Sequence, residues 1–438
     1  MTNIAVIGCG FSGLSVLSAL VRKLEKPCHI TIYEPSLRPG LGKAYSTQDP
    51  AHLLNVRAAA MGAYEGQDGD FLTWLKEHHA RDADPAAFMP RALYGRYLDD
   101  VFAKAIREAQ ARSHRVFIVH EKVKDVTRAQ NKLAVHAADD TKIYDAVIVA
   151  NGNSRPRQPQ LGTGVADHKG WWASPYKSER WPDIQRAGHI VILGSGLSMI
   201  DALVTLQRES YDGDVTVLSP HARIPHPHAM QGTPFPWAED DIRAVRSIPD
   251  FLRRVRAHAN RADWRDVLDG MRPYSNLIWR GFTAAERKRA RRYMHMWNVC
   301  RHRIPAEMHE LVFRLEQSQI LMRREAAVSS VEAMGSSLVC RTSAGVFEAQ
   351  IVMNCMGYDY RIDPQGGGLL PALVREGLIG LEDGFPVPVD DTCRLNADVL
   401  LYGIGPLWQG YMIESSAVRE IRFQADKIAE TLPAVLRS

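Results

Sequence analysis

The sequence predicts an α/β protein in which a unit of strand, glycine turn and helix occurs twice. The first copy is NIAVIGCGFSGLSV at 3–16 and the second is HIVILGSGLSMIDA at 189–202. Each copy has the pattern of a Rossmann-like, dinucleotide-binding domain, in which a buried parallel strand leads into a glycine-rich turn. A later stretch, ADVLLYGIGPLWQGYM at 397–412, predicts a further strand and glycine loop before a closing helix. We therefore expect the second domain to be inserted in the first.

The expected domain boundaries follow from shifts in local composition. The first domain takes residues 1–155 and resumes at 359–438, and the second domain takes residues 156–358. A segment rich in Pro, Gly and Trp, 156–187, leads from the first domain into the second. A polar, helix-favouring stretch at about 238–319 interrupts the second domain and is predicted to be a helical insertion.

The composition is that of an ordinary globular protein. Of 438 residues, 45% are hydrophobic and 24% are charged, and the net charge of +4 is too small to indicate nucleic-acid binding. The six cysteines form no CxxC pair and no Cys/His ligand spacing, so we expect neither a disulfide framework nor a metal site. No apolar run reaches about 18 residues, so we expect no membrane span. A strand starting near residue 3 leaves no room for a signal peptide, and we expect a cytoplasmic protein.

The first glycine turn contains Gly8, Gly10 and Gly13 in the spacing GxGxxG, between a strand and a helix expected at about 12–24. In this motif the glycines allow the tight turn, the approach of a pyrophosphate and close packing of helix on strand. The helix N-terminus offers free N–H groups and a partial positive charge to the phosphates. The following strand, HITIYEP, ends at Glu34, whose carboxylate is placed to accept hydrogen bonds from a ribose. These features favour a dinucleotide site over a βαβ unit without a ligand.

The segments that follow favour FAD as the first dinucleotide. After Glu34 the chain continues through RPGLGKAYSTQDPAHLLNV, a glycine-rich polar stretch where an NAD enzyme would have another crossover unit. The strand in YDAVIVANGNSRPRQP, at 144–159, resembles the segment that closes the FAD domain of two-dinucleotide flavoproteins, and the alternative is an ordinary strand and turn. The predicted FAD-binding residues are Gly8, Gly10, Phe11, Ser12, Gly13, Glu34, Gly42, Leu54, Val56, Val123, Ala150, Gly152 and Gly405.

The second glycine turn predicts a nicotinamide site. Gly194 and Gly196 are present, but Met199 occupies the third glycine position, so we expect looser packing of this helix on its strand. The next strand, GDVTVLSP, ends at Ser219 without a carboxylate, and Arg223 follows it. The missing acid and the arginine favour a 2′-phosphate, and therefore NADPH over NADH; the alternative for Arg223 is a solvated loop cation. The predicted NADPH-binding residues are Gly194, Ser195, Gly196, Leu197, Ser198 and Arg223.

Three motifs resemble those of class B flavin-dependent monooxygenases. Gly164, His168 and Trp172 in GVADHKGWW are similar to the linker fingerprint of that class, and GSGLSMIDA is similar to its second nucleotide turn. IVMNCMGYDY, at 351–360, resembles its late strand that ends in TGY, with Met356 in place of Thr. Together these resemblances imply a protein that binds both FAD and NADPH.

A closer resemblance covers nearly the whole chain. Four stretches are similar to a bacterial family of FAD/NAD(P)-binding proteins related to the N-hydroxylating monooxygenases: GKAYSTQDPAHLLNV, RALYGRYLDDVF, WRGFTAAERKRARRYMHMWNVCRHRIPAEM and LYGIGPLWQGYMIESSAVREIRFQA. The resemblance implies an enzyme that uses NADPH and O2, forms a C4a-(hydro)peroxyflavin and oxygenates a small nucleophile, with the nitrogen of an amine or amino acid favoured. Asn55, in HLLNV, is the predicted catalytic residue beside the isoalloxazine, and its alternative is a turn-capping amide.

The candidate substrate residues come from the helical insertion and from the last glycine loop. Between Asp241 and Arg303 the insertion holds 16 Lys and Arg against six Asp and Glu. Such a face is commonly just solvated, and the alternatives are a clamp for an anionic substrate or a docking surface. The predicted substrate residues are Trp297, Arg301, Arg303 and Tyr411.

Two other functions stay open on the sequence, while the substrate and the oligomeric state are not determined by it. One is an NAD(P)H-dependent flavin oxidoreductase or oxidase without oxygen transfer. The other is a flavin-binding sensor without turnover, which the departures at Met199 and Met356 keep open. The partners we expect are a small-molecule substrate and O2, with neither nucleic acid nor a membrane.

Overall fold

A computed structural model of the chain describes residues 1–138, 140–176, 178–230 and 232–436. The chain divides into two compact units. The first unit comprises Met1–Ser154 and the chain from Tyr360 onward, and the second comprises Arg155–Asp359. The predicted α/β class, with one Rossmann-like unit inserted in the other, is therefore confirmed.

Helices separate several of the strands, as in a parallel α/β fold, while β3–β10 and β13–β18 follow one another without an intervening α-helix. In chain order they are β1 (Thr2–Ile7), β2 (Cys28–Tyr33), β3 (Arg115–Val119), β4 (Val123–Ala129), β5 (Lys132–Ala137), β6 (Asp140–Tyr144), β7 (Ala146–Val149), β8 (Arg155–Pro156), β9 (Gln160–Leu161), β10 (Trp171–Trp172), β11 (His189–Leu193), β12 (Asp214–Ser219), β13 (Leu321–Glu325), β14 (Val328–Met334), β15 (Ser337–Thr342), β16 (Gly345–Ala349), β17 (Ile351–Asn354), β18 (Tyr358–Asp359), β19 (Gly380–Glu382), β20 (Phe385–Val387) and β21 (Leu400–Gly403).

The helices cover the sheets and form the insertion in the second unit. In chain order they are α1 (Phe11–Lys23), α2 (Gly42–Tyr45), α3 (Asp70–His78), α4 (Arg91–Ala111), α5 (Leu197–Arg208), α6 (Glu239–Arg243), α7 (Ile248–Ala259), α8 (Trp264–Met271), α9 (Ser275–Gly281), α10 (Ala284–Arg291), α11 (Met294–Arg301), α12 (Ala306–Gln317), α13 (Leu369–Arg375) and α14 (Val418–Val435). Short 3-10 helices lie at Ala58–Ala60, Ser178–Arg186, Arg272–Tyr274 and Gly405–Trp408. Within the described ranges, no helix combines the length and apolar character needed to cross a bilayer.

The first unit is built on a parallel sheet with the strand order β21-β7-β1-β2-β3. Its central strands are nearly continuous apolar runs because parallel strands are covered on both faces, and Ile4, Ala5 and Val6 are fully buried. The C-terminal helix α14 packs against α1, where Lys23 forms ion pairs with Asp426 and Glu430. Since the strand order reverses at β1, the fold predicts a ligand crevice at the carboxyl ends of β1 and its neighbours.

The second unit repeats this plan with a parallel sheet in the order β10-β17-β11-β12-β13. A second sheet, β16-β15-β14-β9, packs with it around a core that includes Val191, Leu193 and Val331. Helices α6–α12 follow β12 and precede β13, which confirms the predicted helical insertion. Strand β16 was not anticipated by the sequence analysis, because its residues, GVFEA, lie mostly at the surface and lack an apolar alternation.

Backbone packs very closely between the start of α1 and the turn that precedes it. A Cβ atom on Gly13 would lie 2.1 Å from the carbonyl oxygen of Gly8. Gly8 itself has a φ of +93°, and a Cβ there would lie 2.5 Å from the carbonyl oxygen of Ala150. Only glycine fits at either position, because the obstructing atoms are backbone atoms that cannot turn away.

We predict that Gly13→Ala destabilises the first unit. The added methyl group must push α1 off the turn, and overpacking of this kind costs about 1–3 kcal/mol. Chemical denaturation of the two variants Gly13→Ala and Gly380→Ala measures the effect. Gly380 has no heavy atom within 4 Å of an added Cβ, so its variant should unfold like the parent protein. Equal stability of both variants would contradict the close packing at Gly13.

Candidate functional site

A cavity of about 790 Å³ opens at the carboxyl ends of β1, β2 and β7 in the first unit. Gly8 follows β1, Glu34 follows β2 and Ala150 follows β7, and all three line the cavity. The volume lies in the range of about 300–1,000 Å³ that is typical of small-molecule sites. The position is the one that the strand order predicts for a ligand crevice.

Most of the predicted FAD-binding residues meet at this cavity. Those that line it are Gly8, Gly10, Phe11, Ser12, Glu34, Gly42, Ala150 and Gly152. Those that do not line it are Gly13, Leu54, Val56, Val123 and Gly405. Gly13 instead allows close helix packing, and Gly405 has a φ of +75° where the chain approaches the hydroxyl of Ser12. The structure thus brings eight of the predicted residues together at one cavity, and the other five lie outside its lining.

The wall of the cavity includes glycines whose added side chains would meet neighbouring backbone. A Cβ on Gly10 would lie 3.2 Å from the Cα of Gly42, which has a φ of +55°. Helix α1 begins directly after Gly10, and no described side chain caps its first turn or places a carboxylate in it. Its N–H groups are therefore left for an anion, as a dinucleotide pyrophosphate requires. The residues present fit the phosphate part of FAD.

The carboxylate of Glu34 ties the end of β2 to the glycine turn. The N–H of Cys9 donates to Oε2 of Glu34 at 2.7 Å, and the N–H of Ser36 donates to Oε1 at 2.9 Å. Each carboxylate oxygen has a second lone pair, so Glu34 can still accept a hydrogen bond from a ribose hydroxyl. Burial and the nearby Glu34 charge raise the pKa of the Cys9 thiol to about 12, which keeps this thiol protonated and unreactive.

Two cations at the cavity were missed by the sequence analysis. Arg38 lines the cavity and donates to Asp99 at 2.6 Å, while Lys43 lines it from α2 and forms no ion pair with a described residue. Arg38 lies shortly before Gly40 and Lys43 directly follows Gly42, so both belong to the glycine-rich segment after Glu34. Their closeness in sequence to a predicted pyrophosphate site is the pattern by which the two cations could have been identified. Further lining residues not predicted are Pro35, Ser36, Leu37, Leu41, Ala44, Tyr45, Ser46, Gln48, Asn151, Asn153, Pro406, Ser416 and Ile421.

Asn55 lies in a loop beside the cavity-lining segment and is half-buried. The N–H of Leu54 donates to the carbonyl oxygen of Met89 at 2.8 Å, and Val56 packs against the core. Thus the residues on either side of Asn55 are fixed by the fold. Val123 is the first residue of β4 and pairs with Ala137.

A buried histidine organises the loop that leads to Asn55. His52 is 4% exposed, and its Nδ1 lies 2.9 Å from the hydroxyl oxygen of Thr47. Its Nε2 lies 3.5 Å from a carboxylate oxygen of Asp49, whose side chain is also largely buried. These contacts hold the segment between the cavity wall and Asn55 in one conformation.

The second glycine turn lies at the end of β11 and has the same local geometry as the first. Gly194 has a φ of +98°, and an added Cβ would lie 2.5 Å from the carbonyl oxygen of Cys355. Gly196 caps α5, whose first residues are Leu197 and Ser198. Met199 is fully buried. The larger side chain thus fills the space beside the sheet that a third glycine would leave for closer helix packing.

The predicted NADPH-binding residues Ser195 and Arg223 are linked by their contacts. The Ser195 hydroxyl donates to the carbonyl oxygen of Arg223 at 2.5 Å and lies 2.9 Å from the hydroxyl of Ser219. This arrangement fixes the loop after β12 against the glycine turn. The side chain of Arg223 is exposed, as a contact to a charged ligand requires.

Arg223 also lines a separate cavity of about 390 Å³ in the second unit. Arg323, on its wall, pairs with Glu316 and donates to the carbonyl oxygen of Ala222 at 2.6 Å. Partial desolvation and neighbouring cations lower the pKa of His226, which favours its neutral form. The other lining residues are Ile224, Val299, His309 and Phe313.

The predicted substrate residues occupy different environments. Arg303 is 2% exposed and pairs with Asp269, so its charge is engaged within the second unit. Trp297 is half-buried, and its indole Nε1 is buried without an acceptor among the described residues. Arg301 is half-buried at the end of α11. Tyr411 lies in the first unit, where its half-buried ring packs edge-on near Trp408.

The linker motif is part of the packing of the second unit. His168 accepts a hydrogen bond from the N–H of Gly170 at 3.0 Å, and its Nε2 lies 3.3 Å from the carbonyl oxygen of Gly335. Trp172 is 1% exposed and packs edge-on against Trp181. These contacts fix the crossing segment, which explains why a histidine and a tryptophan are used there.

The first unit also matches known sequences. Residues 5–154 match a family model described as FAD-NAD(P)-binding. This part of the chain is therefore similar to FAD-NAD(P)-binding domains. It contains the first glycine turn, Glu34 and the strand that ends before Ala150, which are the features that line the 790 Å³ cavity.

One curated protein aligns with part of the chain. YdhS of Escherichia coli K12 is 23% identical over 229 residues. The alignment covers 49% of this chain and 41% of YdhS, so the chain spans less than half the length of that relative.

Solved structures match the whole chain. The ornithine N-hydroxylase KtzI of Kutzneria sp. 744, in a form with reduced FAD, NADP⁺ and L-ornithine, is 15% identical with a TM-score of 0.66, and 100% of each chain is covered. The thioredoxin reductase of T. acidophilum is 12% identical with a TM-score of 0.53, again with 100% of each chain covered. At these identities the likeness shows the fold. It confirms the predicted two-domain Rossmann-type architecture of the flavin monooxygenases.

We predict that Gly10→Val abolishes FAD binding. The valine side chain would enter the cavity next to Gly42 and occupy space that the pyrophosphate needs. The measurement is the flavin-to-protein absorbance ratio of purified protein, before and after incubation with FAD. Gly380→Val, at an exposed position with no neighbour within 4 Å of a Cβ, is the matched control. Stoichiometric flavin in the Gly10 variant would refute the assignment of this turn.

Proposed function

We propose that the protein is an FAD-dependent, NADPH-consuming monooxygenase that oxygenates a small nucleophile, with an amine or amino-acid nitrogen as its target. One observation carries this proposal. The chain has two glycine turns, each on its own parallel sheet, in a fold that matches an ornithine N-hydroxylase over its whole length. Such a pair of turns suits one dinucleotide that stays bound and another that exchanges.

The residues of the first unit bind and orient the flavin nucleotide. The N–H groups at the start of α1 bind the pyrophosphate, with Lys43 and Arg38 as nearby cations, and Glu34 binds a ribose. FAD, when bound, supplies the redox chemistry with NADPH and O2. Asn55 is the polar side chain that we assign to the flavin ring, at the end of the loop held by His52.

The second unit binds NADPH at its own glycine turn. The phosphates lie at the N-terminus of α5, beside Gly194 and Gly196. Strand β12 ends at Ser219, so no carboxylate repels a 2′-phosphate there, and the exposed Arg223 can donate two parallel hydrogen bonds to it. The contacts of Ser195 keep the loop that carries Arg223 close to the turn.

The cysteines favour oxygen transfer over disulfide reduction, the activity named for the thioredoxin reductase of similar fold. A dithiol–disulfide reaction needs two thiols that can meet, and a thiolate at the start. The sequence has no CxxC pair. The thiol of Cys9, in the first glycine turn, is fully buried and has its pKa raised to about 12.

An amine substrate must reach the site unprotonated, because the nitrogen lone pair is the nucleophile. A site that excludes water lowers the pKa of an amine by desolvation and so favours the neutral form. A substrate carboxylate needs a cation, and a charged hydrogen bond contributes about 1.5–3 kcal/mol. Arg301, half-buried at the end of α11, is our candidate for this contact.

The decisive test is a screen of primary amines and amino acids with the FAD-loaded protein, NADPH and O2. We expect one class of amine to accelerate NADPH oxidation and to appear as an N-oxygenated product by mass spectrometry. Hydrogen peroxide is measured in parallel and subtracted. If all consumed NADPH were recovered as peroxide with every amine, the protein would be an oxidase. Absence of flavin reduction by NADPH would indicate a non-catalytic flavin protein.

We predict that Arg223→Ala raises the KM for NADPH much more than the KM for NADH. The two nucleotides differ by the 2′-phosphate, and loss of a charged hydrogen bond of about 1.5–3 kcal/mol should affect only the phosphorylated one. Initial rates of flavin reduction with each nucleotide measure the difference. Arg186→Ala, at another exposed arginine of the same unit, should leave both values unchanged. Equal effects on both nucleotides would remove Arg223 from the phosphate site.

A further inference from the structure

A series of tyrosine and tryptophan rings leads away from the wall of the cavity in the first unit. Tyr45 lines the cavity, and its ring centroid lies 4.7 Å from that of Tyr94. Tyr94 lies 5.4 Å from Tyr97, and Tyr97 lies 5.8 Å from Trp74. Each distance is within the range of about 4.5–7 Å found for packed aromatic pairs. We call these four side chains the aromatic chain.

The helices place these rings together by simple spacing. Tyr94 and Tyr97 lie three residues apart on α4, and Phe71 and Trp74 lie three residues apart on α3, so each pair shares one helix face. Phe71 packs against both tyrosines at 4.9 and 5.1 Å and fills the space between the two helices. The result is an unbroken aromatic contact from the cavity wall to Trp74, which is half-buried.

The two outer members of the chain each donate a hydrogen bond to a carboxylate. The Tyr97 hydroxyl donates to Asp70, and the Trp74 indole N–H donates to Asp100 at 2.8 Å. Loss of one electron makes a phenol or an indole strongly acidic. A carboxylate already bonded to that proton can accept it at once, which makes both residues easier to oxidise. Any acceptor would satisfy these two polar groups, and a carboxylate can in addition take up the proton.

Tyr94, which lies between Tyr45 and Tyr97, differs from Tyr97 and Trp74 in having no such acceptor in the part of the chain that the structure describes. Tyr94 is fully buried, and its hydroxyl has no partner among the described residues. Its oxidised form would keep a positive charge in an apolar place, which is unfavourable. Tyr94 is therefore a transient step, and an oxidising equivalent that reaches it is drawn on to Tyr97, where the proton can move to Asp70.

We propose that the aromatic chain carries oxidising equivalents from the nucleotide cavity to the protein surface and so protects the cavity from oxygen radicals. The oxidant is a one-electron oxygen radical formed when O2 is reduced without transfer to substrate. The inference rests on FAD occupying the cavity and goes beyond the proposed oxygenation, because it requires neither an amine substrate nor NADPH specificity.

The electrons and protons balance when a soluble thiol is the final reductant. Tyr45 gives an electron and its phenolic proton to a hydroxyl radical, which becomes water. An electron from Tyr97, passed through Tyr94, and a proton from water in the cavity restore Tyr45, while the Tyr97 proton moves to Asp70. An electron from Trp74 restores Tyr97, and its proton returns from Asp70.

The final step takes place at the surface. The indole proton of oxidised Trp74 is held by Asp100, and a soluble thiol gives the electron that restores the indole, whereupon this proton returns. The thiol proton is released to water, where it replaces the proton that Tyr45 took up. The sum is one hydroxyl radical and one thiol converted to water and one thiyl radical. Trp74 is the member of the aromatic chain from which we expect the oxidising equivalent to leave. Its half-buried ring stacks at 5.2 Å on His78, which is exposed to solvent.

The test uses blue light to make bound FAD a one-electron oxidant, with a cobalt(III) ammine as the final electron acceptor and a nitroso spin trap in the buffer. FAD-loaded protein is illuminated without O2, and trapped radicals are located by peptide mapping. We expect adducts at Trp74 in the parent protein. Tyr94→Phe removes only an unpartnered hydroxyl, so it should fold normally, lose the Trp74 adduct and accumulate adducts at Tyr45.

Further variants separate conduction from packing. Trp74→Phe should move the adduct to Tyr97, whereas Tyr402→Phe, at a buried tyrosine outside the chain, should leave the Trp74 adduct unchanged. A Trp74 adduct of equal yield in the parent and in Tyr94→Phe would overturn the proposal, since Trp74 would then react directly with solvent oxidants. The absence of adducts from all four residues in flavin-loaded protein would overturn it as well.

The same experiment reports separately on the cofactor. Flavin absorbance before illumination shows whether FAD is bound, and flavin-free protein under the same light should give no adducts. Colourless protein would therefore count against the cofactor assignment. If the protein oxygenated no amine but still gave adducts on the aromatic chain, the result would support the aromatic chain and count against the proposed activity.

Discussion

The close approach of helix α1 to the turn before it is the constraint on which the first unit depends. Because Gly13 has no side chain, the helix can begin directly over the carbonyl oxygen of Gly8, and its free N–H groups point into the cavity. The same approach places Cys9 where its N–H binds Glu34. A side chain at Gly13 would therefore disturb both the packing of α1 and the turn that lines the cavity.

The second unit meets the same constraint by different means. Gly194 retains the left-handed turn, but a buried Met199 stands where a third glycine would allow closer packing. Strand β12 ends in a serine, and the hydroxyls of Ser195 and Ser219 lie together where an acid would otherwise stand. An acid at this position binds a ribose diol, and its absence here is one basis of the NADPH site proposed above. The two units therefore share a backbone plan and differ in the residue at the end of the second strand, on which the proposed NADPH site depends.

The sequence was sufficient for the fold class and for the glycine turns, because both depend on short-range patterns. It was not sufficient for Arg38, Lys43 and Tyr45, which reach the cavity only after the loop beyond β2 has folded back over the turn. The environment of Arg303 was equally hidden, since its partner Asp269 lies 34 residues away in the sequence. Local motifs identify where a ligand binds, and long-range contacts decide which charges remain available to it.

The edge strand β21 pairs with β7, yet 250 residues, 150–399, separate them in the chain. During synthesis on the ribosome, β7 therefore emerges long before its partner, and its open hydrogen-bonding edge must wait for the second unit to be made. An unpaired parallel strand is an aggregation hazard. The second unit has all its own strands and can fold in the meantime. The nascent first unit, by contrast, is the stage at which a chaperone would be needed most.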